Sequence, residues 1–369
     1  MKDFYSFDEY SIPYWIRLLY WGLYIAVFTF AAWKMLLSKT NYKQQKEVTG
    51  LFCVFFILYA VFYCINPDYF RYREWLNVTN TDYWTKEIFY IYTVQICLNL
   101  PFSYPFEVFR LIVWGGGVLI VYQTFRLYRE LLLPGLTMLL LFVFHAGVFC
   151  YARASLAMAV YFIGIALYLI HNKLVLKLLG IGIALTSFYF HREMLIGIAV
   201  LLCLFIPLEK KRITFLSLFL LLIAISAISF VSSNLEFLDL IFDNDDISSK
   251  MEDFNNQEQG VLRLSTFIGY LKYFYPFYLI TKSFWKRKLP YPILGIYRAT
   301  YGILMAAVAF MIVFGVRNIY AYRTLYISMI PLSLLIGYGY YHGHFTRKQF
   351  WIMMILALLS NSVRFINAE

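Results

Sequence analysis

Apolar stretches close to the ~20 residues that cross a hydrocarbon core recur along the whole chain, and few architectures accept such a pattern. In lipid, every backbone N–H and C=O has to be bonded within the protein, so runs of this length span as α-helices. The runs lie at residues 14–37, 48–65, 108–125, 131–149, 154–170, 174–190, 194–208, 213–231, 264–281, 291–313, 319–340 and 349–363. They predict an all-α, polytopic integral membrane helix bundle with about twelve transmembrane helices, in a single membrane-embedded domain over residues 1–369. The last run is short enough to be re-entrant. Charged residues make up 14% of the chain, against roughly a quarter in soluble domains, which excludes an ordinary water-soluble fold.

Charge then orients the bundle. One alternate set of loops carries Lys39, Lys43 and Lys46; Arg126 and Arg129; Lys173 and Lys177; Lys210, Lys211 and Arg212; Lys282, Lys286, Arg287 and Lys288; and Arg347 with Lys348. The positive-inside rule puts these loops in the cytoplasm and the N-terminus outside. The net charge of +11 is accounted for by this retention signal, and without a soluble basic domain no nucleic-acid partner is expected. The segment Lys86–Leu100 is apolar, but a crossing there would turn the later Lys loops outward. It is therefore assigned as an amphipathic or re-entrant helix within an outer-face loop over 66–107. A second, polar outer-face loop covers 232–262. Its Asp243, Asp245 and Asp246 lack the central Gly and terminal Glu of a calcium loop.

The outer face collects a different kind of residue. Arg71, Arg73 and Asp82 fall there in "PDYFRYREWLNVTNTDYW", Arg153 in "FCYARASLAMAV", His191, Arg192 and Glu193 in "TSFYFHREMLIG", and Arg317 and Arg323 in "GVRNIYAYRTLY". The inner loops are mostly Lys, a point charge sufficient for retention. Arg adds a planar fork of donors that matches phosphate or carboxylate. An Arg inside a span costs about 2.5–3.5 kcal/mol on insertion scales, so such residues usually face a cavity or a partner. For any one of them, snorkelling to headgroups is an equal explanation. His191 is either a polar helix cap or a general base at an outer site; Glu193 is its partner, a substitute base or an ion pair with Arg192.

Other chemistries have no support in the sequence. The five cysteines are scattered and read as packing residues, and no His/Cys/Asp/Glu spacing makes a metal site. No nucleotide loop or nucleophile elbow is present, and no cofactor is expected. "WGGGV" at 114–118 reads as close helix packing or a kink. The first apolar run lacks the basic leader and cleavage motif of a signal peptide.

Taken together, "YFRYRE", "TDYWTKEIF", "FCYARASLAMAVYFIGIALYLIHNK" and "GIALTSFYFHREMLIG" resemble the EpsG family, the Wzy-like bacterial exopolysaccharide polymerases. Arg71, Arg73, Asp82, Tyr83, Arg153 and His191 match the family's motif positions, and "RNIYAYRTLY" resembles its late Arg-bearing helix. Where the family often carries a small polar residue after the His, this chain has Arg192 and Glu193. The resemblance covers roughly residues 50–340.

It implies an integral-membrane glycosyltransferase of the bacterial plasma membrane. Its substrates would be polyprenyl-pyrophosphate-linked oligosaccharide repeats on the outer leaflet, with a flippase and a chain-length regulator as pathway partners. On this reading Arg71, Arg73, Arg153, Arg317 and Arg323 bind pyrophosphate, and His191, Glu193 and Asp82 are the catalytic candidates. Trp75, Tyr83 and Trp84 are placed against sugar, although interfacial anchoring explains them equally well. A lipid-linked-oligosaccharide flippase and a polysaccharide ligase are the alternatives, since both need a cationic cavity.

Overall fold

The computed structural model describes residues 14–37, 88–101, 104–128, 152–191, 194–218, 264–287, 289–314 and 319–367, with isolated positions between them. Residues 61–87 and 224–263, which include parts of the two expected outer-face loops, lie outside the described residues. Among the described residues the principal helices are α1 (Tyr14–Leu37), α2 (Ile88–Asn99), α3 (Pro105–Leu127), α4 (Ala152–Ile170) and α5 (Leu174–Phe190); then α6 (Met194–Phe205), α7 (Leu264–Phe284), α8 (Tyr291–Phe314), α9 (Ile319–Tyr341) and α10 (Arg347–Asn367). Among the described residues no strand occurs. Two stretches, Pro105–Leu127 and Tyr291–Ile312, are long and apolar enough to cross a membrane, and shorter apolar helices cover much of the rest.

The core forms around α9. From Thr324 to Gly339 every residue is buried, so this helix is apolar on all sides and enclosed by the others. Its hydroxyls stay satisfied locally: Ser328 donates to Leu325 O and Ser333 to Met329 O, each at 2.6 Å. The peripheral helices reverse the pattern of a soluble bundle. α5 exposes Leu174, Val175, Leu178 and Leu179, while α1 exposes Trp15, Leu19 and Trp33. Val175 is 75% exposed, and a continuous apolar exterior of this kind suits acyl chains rather than water.

Two glycines set the closest packing. A Cβ built on Gly164 of α4 would lie 2.5 Å from both Ala184 N and Gly180 O of α5. One built on Gly180 would lie 2.6 Å from Gly164 O. The two backbones therefore touch, as small residues permit in membrane-type packing. In α3 the winding opens to a π-helix over Leu111–Gly115 before Gly116 resumes the α-helix, which is the irregularity that the glycine run foreshadows.

The basic turns gather at one end. Lys177 lies over Tyr168 and Tyr291, and Lys211 over Trp285 at 5.8 Å. Arg298 forms a two-pronged pair with Glu209, at 3.0 and 2.8 Å, and also donates to Leu204 O. Burial pushes the Glu209 carboxyl up, but the Arg298 hydrogen bonds and charge outweigh it and hold the group below its usual range. Ser283 and His344 share a 2.6 Å hydrogen bond through Oγ and Nδ1, and Arg287 reaches His342 O.

His344 supplies a pH test. Burial lowers its pKa, assisted by the charges of Arg287 and His342, to about 4. An unfolded histidine titrates near pH 6.5. Between about 4 and 6.5 the unfolded chain holds the extra proton, so this contribution is complete above pH 6.5 and falls as the pH drops toward 4. Thermal unfolding of the detergent-solubilised protein should therefore show a lower Tm at pH 5 than at pH 7.5. His344→Asn is expected to reduce that difference; an unchanged difference would rule His344 out as its source.

Two expectations need adjusting, and a third extends beyond the described residues. The last helix is not short: α10 runs 21 residues from Arg347 to Asn367 and packs against α1 and α7. The segment at 86–100 is helical over Ile88–Asn99 but is not two-faced. It buries Tyr90, Thr93, Val94 and Cys97 and exposes Ile88, Tyr92 and Ile96 beside Gln95 and Asn99, so large apolar side chains lie on both sides. The count of about twelve crossings extends over residues outside the described ones, including most of 48–65 and 131–149.

Candidate functional site

The end opposite the basic turns is defined by the start of α4, the corner between α5 and α6, and the start of α9. His191 makes that corner. Its N–H donates to Ser187 O at 3.1 Å as α5 ends, and its C=O accepts from Met194 N at 3.0 Å as α6 begins. Its backbone is extended, with φ −160° and ψ 123°. The cap role belongs to the backbone, and His191 as a residue is half-buried.

Arg323 sits four residues after Ile319, about 6 Å along α9. It is half-buried, and neighbouring Tyr322 stacks on Tyr270 of α7 at 4.9 Å and 23°. Arg153 is the second residue of α4, so its Cα lies at this same end. Three of the expected residues thus share one end of the bundle. Arg71, Arg73, Trp75, Asp82, Tyr83, Trp84, Glu193 and Arg317 lie outside the described residues.

Two buried cations were missed in the sequence. Arg110 is 3% exposed in the first turns of α3, its guanidinium over the rings of Phe106 and Trp114 at 5.7 and 5.4 Å. The contact of Gly117 with Leu156 sets the height of α3 beside α4, while Gly135 touches both Phe125 and Leu334 farther toward the basic turns. Arg110 therefore belongs to the His191 end. Lys272 is 1% exposed, eight residues into α7. It donates to Asn361 Oδ1 at 3.2 Å, and Asn361 Nδ2 donates to Tyr24 OH at 3.0 Å, joining α7, α10 and α1. Beside this network Trp21 Nε1 donates to Ser362 Oγ at 3.0 Å.

A signal for both cations was present, because each is a charge inside a long apolar run. Their neighbours hid it: Arg110 stands at the very edge of its run, and Lys272 is flanked by Tyr, Phe and Leu. Insertion of each costs about 2.5–3.5 kcal/mol, which hydrogen bonds and ring faces have to offset.

The walls between these groups are aromatic. Phe190, next to His191, packs on Phe89 of α2 at 4.1 Å; Phe89 meets Tyr90 at 5.3 Å, and Tyr90 meets Phe109, next to Arg110, at 6.3 Å. The chain of contacts runs from Phe190, the residue before His191, to Phe109, the residue before Arg110. Chemically, the assembly offers fixed positive charge, an imidazole and flat apolar faces. Among the described residues no group of three or more His, Cys, Asp or Glu side chains could hold a metal ion. Comparison of the chain with family models, with curated proteins and with solved structures finds no match.

Proposed function

We propose that this protein is a bacterial polysaccharide polymerase, a multi-pass glycosyltransferase of the plasma membrane that joins polyprenyl-diphosphate-linked oligosaccharide repeats on the outer face. The observation that carries the reading is sidedness. His191, Arg323 and the Arg153-bearing start of α4 lie at one end, and the Lys-rich turns at the other. With the Lys turns in the cytoplasm, the first group faces outward, where lipid-linked repeats are joined.

In this reaction a hydroxyl on the incoming lipid-linked unit attacks the anomeric carbon of the growing chain. The bond from that carbon to the diphosphate oxygen breaks, and polyprenyl diphosphate leaves with the electron pair. The hydroxyl proton passes to His191, or to Glu193 in its place. Arg71, Arg73, Arg153, Arg317 and Arg323 neutralise the departing diphosphate, a task that guanidinium forks perform without a metal. Asp82 is a further proton-handling candidate, and Trp75, Tyr83 and Trp84 supply sugar-stacking faces.

A flippase would need charge distributed through the depth of the bundle, and Lys272, about 12 Å along α7, gives that second reading its one specific support. Purified protein in lipid vesicles, supplied with lipid-linked repeats on the accessible face, separates the two. New glycosidic bonds and free polyprenyl diphosphate are expected, with about a hundredfold loss or more on His191→Ala at an unchanged folded amount, in line with removal of a general base. Transfer of repeats across the bilayer without bond formation would replace the polymerase by the flippase.

A further inference from the structure

We propose that the turn following α6 and the end of α7 together bind the headgroup of an anionic phospholipid of the cytoplasmic leaflet. The proposal stands apart from the reaction assigned to the opposite end of the bundle.

Two segments far apart in sequence supply the cations. Lys210, Lys211 and Arg212 lie at the start of the helical stretch 211–218, and Lys282, Lys286 and Arg287 at the end of α7. All six are exposed, with Arg287 also donating to His342 O at 3.4 Å. Lys211 fixes the juxtaposition. Its Nζ stands 6.0 Å from the ring of Phe215, one turn on, and 5.8 Å from the ring of Trp285, which belongs to the other segment. The two rings lie 6.0 Å apart at 36°. Trp285 N still donates to Thr281 O at 3.1 Å, so Lys282 and Trp285 are neighbours on the last turn of α7.

The charge of this patch is not cancelled from within. Glu209, beside Lys210, is taken by its two-pronged pair with Arg298. The sequence carries no further Asp or Glu between Glu209 and Glu236, and none between Glu258 and Glu369. An ammonium is a point charge with three rotatable donors, so the rings settle where Lys211 stands while its exposed charge remains able to follow a headgroup.

An apolar surface begins at the patch itself. Phe215, Leu216 and Leu218 are exposed within two turns of Lys211. On the other segment Tyr278 is exposed one turn before Lys282, whose Nζ lies 5.9 Å from its ring. A cationic patch bordered by apolar helix surface on both segments matches a ligand with a negative head and acyl chains. A water-borne anion or an acidic protein would use the charge and leave the apolar border bare. Basic sites between membrane helices on the cytoplasmic side take anionic headgroups in this way.

The test uses full-length protein freed of bound lipid in mixed micelles, titrated with phosphatidylglycerol and with phosphatidylcholine, the Kd being read by microscale thermophoresis. Wild type is expected to bind phosphatidylglycerol at least about tenfold more tightly than phosphatidylcholine. Lys211→Gln combined with Lys286→Gln should weaken phosphatidylglycerol at least about fivefold and leave phosphatidylcholine unchanged. Lys173→Gln combined with Arg126→Gln removes the same charge from other exposed cytoplasmic turns and should keep both Kd values within about twofold. Glycerol 3-phosphate at the concentration of the lipid should displace less than about half of it, because it lacks the acyl chains.

Equal Kd values for the two lipids overturn the proposal. So does a folded Lys211→Gln/Lys286→Gln protein with the wild-type Kd; should that variant not fold, Lys286→Gln alone is read in its place. An equal loss in the Lys173→Gln/Arg126→Gln protein would reduce the effect to general surface charge and overturn it too. Greater displacement by glycerol 3-phosphate would give the patch to a soluble anion, against the proposal.

Discussion

Alanine at Gly164 is expected to abolish accumulation of folded protein, although it adds a single methyl group. The new carbon would lie 2.5 Å from Ala184 N and 2.5 Å from Gly180 O. Both obstacles are backbone of α5, so no side-chain rotation relieves the clash; the helices have to separate. Separation gives up packing along the α4–α5 seam, where Gly164 and Tyr168 of α4 meet Gly180 and Ala184 of α5. Overpacking against backbone belongs to the class of substitutions that cost more than about 4 kcal/mol. Gly182→Ala is the control. It lies on the partner helix α5 with nothing within 4 Å of the added carbon, so it should be neutral, or stabilise by up to about 1 kcal/mol through helix propensity. Folded yield by gel filtration after extraction reads both. Wild-type yield for Gly164→Ala would mean that the two backbones do not meet.

The second large effect is an asymmetry within the Tyr24–Asn361–Lys272 network. Asn361→Leu, close in volume, removes the Lys272 acceptor at 3.2 Å and the donor to Tyr24 at 3.0 Å while the ammonium stays buried. The expected cost is about 3 kcal/mol, the range for losing a hydrogen bond to a charged group in a buried site. Lys272→Met removes the charge itself and keeps the shape. Replacing a buried charge by a well-packed apolar side chain is often neutral or favourable, so stability should stay within about 1 kcal/mol of wild type or rise. In the double variant most of the Asn361→Leu penalty should vanish, giving a coupling of about 2 kcal/mol. Unfolding titrations in mixed micelles measure all four proteins. Equal losses for the two single variants would show that the ammonium is needed for stability in its own right.

Much of the helix layout was legible in the residue order. The run at 174–190 coincides with α5, and 14–37 with α1. Hydropathy is a local property: a helix in lipid is bounded where apolar side chains give way to polar ones, and composition records that directly. The gathering of the Lys turns followed from the same logic, since antiparallel helices with short connections put alternate loops on one side. α10 was underestimated because "SNSVRF" near its end is polar. Those polar residues face inward: Ser360 and Asn361 are buried, and Asn361 and Ser362 bond to α7 and α1, so the helix continues through them.

The candidate site was legible only in part. Outward arginines and one histidine could be picked out because they run against a simple charge bias, and three of them share an end of the bundle. Arg110 and Lys272 could not be ranked the same way. A charge at the edge of an apolar run looks identical whether it snorkels or turns inward, and the choice depends on what the neighbouring helices present.

Residue order alone determined that the described residues are helical, where helices such as α1 and α5 run, and which turns carry the basic charge, since each depends on side chains within one or two turns of one another. Only the tertiary structure decided that Gly164 meets Gly180, that Lys272 reaches Asn361 and Tyr24, and that Arg110 lies buried between Phe106 and Trp114. Contacts between helices depend on rotation and height about each axis, and an apolar surface facing lipid and one facing another helix are built from the same side chains.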